Sequence, residues 1–330
     1  MRQIDLGLDS DKYRDVHHPL YVQDLAGLLS PCLARFPRLS ALEVHAFTSC
    51  LSQEGKRVFV DTIASALRYV PLPNLTELEI RFPLAHDFGK LFDDDEASTA
   101  RVPIEHVLKP LRHLTLSVTE WTDYIGQRHW PTNVSAENAA LPNDRYAFHL
   151  SRLVQAAVNL ESLAIFSTDN LKLDNFKFAS PLRLRTLCLL SMSISSPKLV
   201  SLLQQCKDTI KHVDFTLVKL NSGKWQDLFV GFCKIPNLHF FAVHAVGYSE
   251  TGSSSHLAEC LLPEPDDPRD IETRNSRDYH ALGNLQRQVN ANRAAVGLPP
   301  ISEYEFRHVE KESLESVMME ELGMEGDHSA

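Results

Sequence analysis

Residues able to do chemistry are plentiful in this chain but scattered. The run Asp93-Asp94-Asp95-Glu96 concentrates carboxylates that a divalent cation would favour. A calcium loop needs oxygen ligands at alternating positions and a glycine at a defined turn. Neither is present, so a solvated loop is expected. The 15 histidines, among them His45, His113, His212 and His244, follow no metal-binding spacing. Cys206 and His212 stand across an expected helix-to-strand turn with no second cysteine nearby, so no metal site is expected. Cys188 sits between Leu187 and Leu189 and should point to the opposite side of its strand. It reads either as a reactive surface thiol or as a small residue on an inner wall. Glycine-rich phosphate loops, H-E-x-x-H and G-x-S-x-G are all missing. The expectation is a non-enzyme with no catalytic residue, no cofactor and no metal; a hydrolase or transferase on an irregular α/β fold is the rival.

Composition narrows the class further. A chain of 330 residues that is 43% hydrophobic and 23% charged has the balance of a globular protein with a sizeable core. No stretch approaches the roughly 18 unbroken apolar residues of a membrane span, so no membrane is expected. The polar, acidic start MRQIDLGLDSDKYRDVHH carries no apolar signal region. With six cysteines spaced far apart and no C-x-x-C, reduced and mostly packed thiols in a cytoplasmic or nuclear setting are expected. Net charge is −10, which argues against nucleic acid as a partner. Between Glu303 and Ala330 nine acids face two bases, an acidic tail on a nearly neutral body.

The elements that must position these groups are announced by a recurring spacing, L-x-x-L-x-L. It places Leu75, Leu78 and Ile80 in LPNLTELEIRF, and recurs as Leu39/Leu42/Val44, Leu111/Leu114/Leu116 and Leu160/Leu163/Ile165. Three further copies are Leu184/Leu187/Leu189, Ile210/Val213/Phe215 and Leu238/Phe241/Val243. Successive first positions differ by 36, 36, 49, 24, 26 and 28. The last three intervals fit a repeat of 20 to 29 residues, and the longer ones need insertions near 83–101 and 120–144. The last two apolar residues of each copy alternate with polar ones, as on a short strand with one buried face. One such unit buries too little to offset the entropy of ordering it, so the units must stack. Helical stripes fall between them: Leu20–Phe36, Lys56–Val70, Tyr146–Val158, a helix capped at Ser195-Ser196-Pro197, and Ser222–Cys233. The fold class expected is α/β: an irregular leucine-rich-repeat-like solenoid, parallel strands with outer helices, and a helical C-terminal extension. The array occupies 1–248 and the linker with its acidic helical extension 249–330.

These seven stretches, with the L-x-x-L-x-x-C step from Leu199 in LVSLLQQC, resemble the repeat region of fungal F-box and leucine-rich-repeat-like proteins over roughly Leu20 to Tyr248. The resemblance implies substrate recognition in a ubiquitin-ligase assembly, where an N-terminal F-box binds a Skp-type adaptor. The first repeat strand begins near Leu39, where no separate F-box fits before it. A Skp-type adaptor is therefore expected only if an F-box is supplied elsewhere. A truncated relative without retained activity is a further reading.

In such a solenoid the residues alternating with the buried ones line a concave face, the expected surface for a protein partner. They are Glu77, Glu79 and Arg81, then His113, Phe166, Cys188 and Leu190, then His212, Asp214 and His244. The early wall is charged. The middle, through Phe166, Cys188 and Leu190, is apolar, as an exposed interface would be. The alternative is that the chain covers it itself. Asp278–Val296, stopped by Gly-Leu-Pro-Pro, and a second apolar stripe through Phe306, Val309, Leu314, Val317, Met318 and Leu322 are candidates to cap the array or to bind a partner.

Overall fold

The computed structural model describes residues 3–5, 18–45, 51–92, 102–122, 134–178, 182–249, 271, 273 and 275–302. The acid run from Asp93, Cys50, Cys260 and the apolar stripe beyond Glu303 lie outside them. Elements follow in the order β1 (Gln3–Asp5), α1 (His18–Ala34), β2 (Ala41–His45), α2 (Gln53–Tyr69), β3 (Glu77–Phe82), a 3-10 helix (Ala85–Leu91) and α3 (Ile104–Leu108). Then come β4 (His113–Val118), α4 (Ala136–Ala139), α5 (Asn143–Tyr146), α6 (Phe148–Ala156), β5 (Ser162–Lys172), β6 (Thr186–Ser195) and α7 (Ser196–Gln205). The chain continues through β7 (His212–Thr216), β8 (Lys219–Ser222), α8 (Trp225–Phe232), β9 (Phe240–His244), β10 (Gly247–Tyr248) and α9 (Ser276–Ala295).

All seven L-x-x-L-x-L copies form strands, and these pair in parallel in chain order, β2-β3-β4-β5-β6-β7-β9, within one open sheet. Their register is constant. Leu42, Leu78, Leu114, Leu163, Leu187, Val213 and Phe241 are successive partners, as are Val44, Ile80, Leu116, Ile165, Leu189, Phe215 and Val243. These residues join the helices' buried faces in one hydrophobic core, so the helices cover one side of the sheet. The first apolar residue of each copy closes the turn beneath its strand; Leu75, Leu111, Leu184 and Ile210 are fully buried there. One carbonyl at each strand entry accepts two N–H groups of the next copy: Ser40 from Thr76 and Glu77, Thr76 from Arg112 and His113, and so on to Lys211 from His239 and Phe240. In four copies the residue before the first apolar position adds a side-chain bond to the preceding copy. Asn74 donates to the Pro37 carbonyl, Asn159 to Lys109, Thr209 to Leu184 and Asn237 to Asp208, at 2.7 to 3.0 Å.

A second ladder lies beside the first. Beyond the last three copies, Ser191, Leu217 and Ala245 adopt positive φ of 59°, 53° and 48°. Each follows directly on register partners Leu190, Thr216 and His244. The turn redirects the chain into the end of β6, β8 and β10, which pair in parallel with one another and bury Met192, Ile194, Val218, Leu220 and Val246.

The two insertions are not surface loops throughout. The 3-10 helix buries Phe88 and Leu91 in the main core. Asn143, fully buried, donates from Nδ2 to the Glu120 carbonyl (2.9 Å) and to Asp169 Oδ2 (2.8 Å), and accepts the Ala85 N–H (2.8 Å). Asp169 Oδ2 also accepts from the Thr122 N–H and hydroxyl. Lys56 of α2 pairs with Glu120, whose second oxygen accepts from Asn138 of α4 (2.7 Å). Both insertions are therefore tied to β5.

The expected helices form, with small departures. Leu28 of the α1 stripe is 59% exposed, because the buried line runs through Val22, Leu25, Leu29 and Leu33. Ser195 occupies the N-cap position of α7, but its side chain makes no capping bond; its N–H donates instead to Asp174 Oδ1 (2.9 Å). α9 packs chiefly on α8 and to a smaller extent on β9, and sends Leu282, Leu285 and Val289 into the same core. It extends the helix layer at the end of the array. Asp278 of α9 accepts the Gln226 N–H and the Tyr248 hydroxyl, and Asn292 donates to the carbonyls of Ile235 and Leu238. No helix among the described residues is long and apolar enough to cross a membrane.

Candidate functional site

The side of the sheet away from the helices carries three rows of side chains, because strands in constant register place equivalent residues side by side. The lower row runs Ala41, Glu77, His113, Ser162, Thr186, His212 and Phe240. The middle row runs Glu43, Glu79, Thr115, Ala164, Cys188, Asp214 and Ala242, and the upper row His45, Arg81, Ser117, Phe166, Leu190, Thr216 and His244. All ten residues singled out from the sequence stand on this face, distributed over the three rows.

At the early end, Glu79 is a hub. His45 Nε2 lies 3.3 Å from its Oε1, and Arg81 Nε donates to the same oxygen at 2.8 Å. Partial burial would raise the Glu79 carboxyl. The bonds from His45 and Arg81, together with their charge, outweigh it and hold the group at about 2. His45 reaches Glu79 from the neighbouring strand β2, an approach that no spacing along a single strand marks. Glu77 and His113 are exposed lower-row residues, outside this group.

The middle of the face corrects one expectation. Leu190 is only 6% exposed, so it is no part of an exposed apolar patch. Its row neighbours Phe166 and Thr216 stand about 4.8 Å away on either side and shield it; Thr216 is itself buried, while Phe166 stays half-exposed. α9 lies in the helix layer and does not cover this face, contrary to the self-covering alternative for that helix.

At the later end, three side chains converge. The ligand atoms of Cys188, His212 and Asp214 all lie within 4.8 Å of one another. Cys188 and Asp214 are direct partners across β6 and β7. His212 is two residues before Asp214 on the same strand and so shares its face. The imidazole stacks on Phe240, with ring centroids 4.2 Å apart and planes 15° from parallel. Asp214 is buried; Cys188 and His212 are half-buried. His244 stands apart in the upper row of β9. Cys206, across the turn from His212, lies in the core instead: its thiol is buried, points at the Leu202 carbonyl (3.3 Å), and burial pushes it up to about 11. The described cysteines are free thiols, with Cys32 exposed rather than packed.

On the helix side, a depression of about 320 Å³ between α6 and α7 is lined in part by Lys177, Phe178 and Lys198. Lys198 donates to the Phe176 carbonyl (2.7 Å), a bond that anchors the loop after β5. Neither a protein-family model nor a curated protein matches the chain.

Proposed function

We propose that the chain is an irregular leucine-rich-repeat-like solenoid over residues 1–248, closed by its C-terminal extension, and that it recognises a protein partner through the open sheet face. The role is recognition rather than catalysis, in the cytoplasm or nucleus, and corresponds to the substrate-binding part of an F-box-type adaptor. A Skp-type adaptor joins where an F-box accompanies this face. One observation carries the reading: seven parallel strands in constant register present three continuous rows of side chains, graded from charged at Glu43, Glu77, Glu79 and Arg81 to mixed at Phe166, Cys188 and His244. A wide, rigid face of alternating side chains is a surface that complements another protein better than a small molecule.

The test is co-purification of the full-length chain from its own cells, comparing face and helix-side variants. Glu77→Lys with Phe166→Asp alters the face at positions that are exposed or half-exposed. Phe148→Asp with Val230→Asp alters exposed helix positions, 52% and 48% accessible. Loss of a stoichiometric partner from the first pair alone supports the reading. Loss from the second pair alone transfers recognition to the helix layer and overturns it.

A further inference from the structure

We propose that Cys188, His212 and Asp214 form a binding site for a thiophilic divalent cation, with zinc the best fit. The donors are one thiolate, one imidazole and one carboxylate, taken from adjacent strands of a hydrogen-bonded sheet. Zinc takes this donor set at about 2.3 Å to sulfur and about 2.0–2.2 Å to nitrogen and oxygen. A tetrahedral site then separates its donors by about 3.3–3.6 Å. The donors now lie within 4.8 Å of one another, so binding draws them together by up to about 1.5 Å. Thiolate and imidazole favour zinc over magnesium or calcium, which prefer all-oxygen sites.

The surroundings fit the role. In the middle row Ala164 flanks Cys188 and Ala242 flanks Asp214, so small side chains border the cluster on both sides. The ring of Phe240 against His212 holds the imidazole plane, as the groups around metal ligands commonly do. Asp214 is only 6% exposed, and a buried carboxylate beside a thiol and an imidazole gains from a cation that it can ligate. Three protein ligands leave a fourth position to water, the arrangement of zinc sites that keep an open coordination place. The site does not depend on the identity of any protein partner.

The experiment uses the tag-free, full-length chain, stripped with a chelator and titrated with Zn²⁺ and separately with Co²⁺. One zinc per chain is expected, with affinity reduced at least about tenfold, the scale of ligand-shell damage, in Cys188→Ser, His212→Gln and Asp214→Asn but not in Cys233→Ser. Bound Co²⁺ should show a thiolate charge-transfer band that Cys188→Ser abolishes. Should the variants fail to fold, alkylation of the wild-type chain decides the matter. Zinc should protect Cys188 while leaving the exposed Cys32 reactive. Zinc binding that the three variants leave intact, a cobalt spectrum without the thiolate band, or equal alkylation of Cys188 with and without zinc overturns the assignment.

Discussion

Asn143 offers the sharpest test of how the insertions are held. Its side chain has no solvent exposure and makes three bonds: to the Glu120 carbonyl, to Asp169 Oδ2, and from the Ala85 N–H. Asn143→Ala leaves a buried N–H, a part-buried carbonyl and part of a buried carboxylate without that partner. Each such group costs about 1–3 kcal/mol. Asp169 keeps its bonds from Thr122, which limits its share, so the expected loss is about 3–5 kcal/mol in all. Asn143→Asp keeps an acceptor for Ala85 but sets a second carboxylate against Asp169, and should lose at least as much. Urea unfolding of the full-length chain measures both. Hydrogen exchange should rise first around 84–91 and 134–146, because these segments lose their tie to β5 before the sheet opens. A loss under about 1 kcal/mol for Asn143→Ala, a size typical of a replaceable exposed bond, with no local rise in exchange, would refute the view that this network fixes the insertions.

Four further expectations concern the strands and the turns between them. The folded Glu79 carboxyl sits at about 2 against an ordinary 4.5, so its contribution is complete above about pH 4.5 and fades as pH falls toward 2. At 23% exposure, that contribution is roughly 1–3 kcal/mol; urea midpoints of wild type and Glu79→Gln should differ near neutral pH and converge in acid. Gly223 has φ +85°, and a Cβ there would lie 2.3 Å from Ser196 Cβ, so Gly223→Ala should lose about 2–4 kcal/mol. Ala245→Gly relieves a positive φ of 48° and should be neutral or gain up to about 1 kcal/mol by thermal melting. Asn74→Ala, Asn159→Ala and Asn237→Ala should each lose about 0.5–1.5 kcal/mol. Their effects should add in the triple variant, because the three rungs stand more than about 7–10 Å apart.

Much of the fold was legible because its signal is periodic. Two buried residues alternating with polar ones, preceded by a third at the turn, leave one face to bury and one way to stack. Every copy from Leu39 to Val243 duly became a strand with its neighbours in chain order. The helices were legible for the same reason, and α9 betrayed itself through Leu282, Leu285 and Val289. Its docking place did not, since an apolar stripe records that a face is buried and not what buries it. The second ladder was hidden because its turn uses Ser191, Leu217 and Ala245, none of them the glycine or asparagine that usually marks positive φ. Its trace is the apolar alternation Met192/Ile194 and Val218/Leu220 just past the turn. The insertions were hidden because polar residues such as Asn143 and Asp169 read as loop formers unless their partners are known.

The convergence of Cys188, His212 and Asp214 belongs to a different class. No spacing along the chain marks it, because its members come from two copies of the repeat. Yet constant register makes it computable. The middle row is always the fourth residue after the first apolar position, and the lower row the second; counted from Leu184 and Ile210, these offsets give Cys188, Asp214 and His212 as neighbours. Reading each strand separately lists what the face contains. Reading the same offsets across strands shows which residues stand side by side, as His45 with Arg81 and Glu43 with Glu79 at the other end of the sheet. In a protein of this build, chemistry is encoded between repeats, at right angles to the direction in which motifs are usually sought.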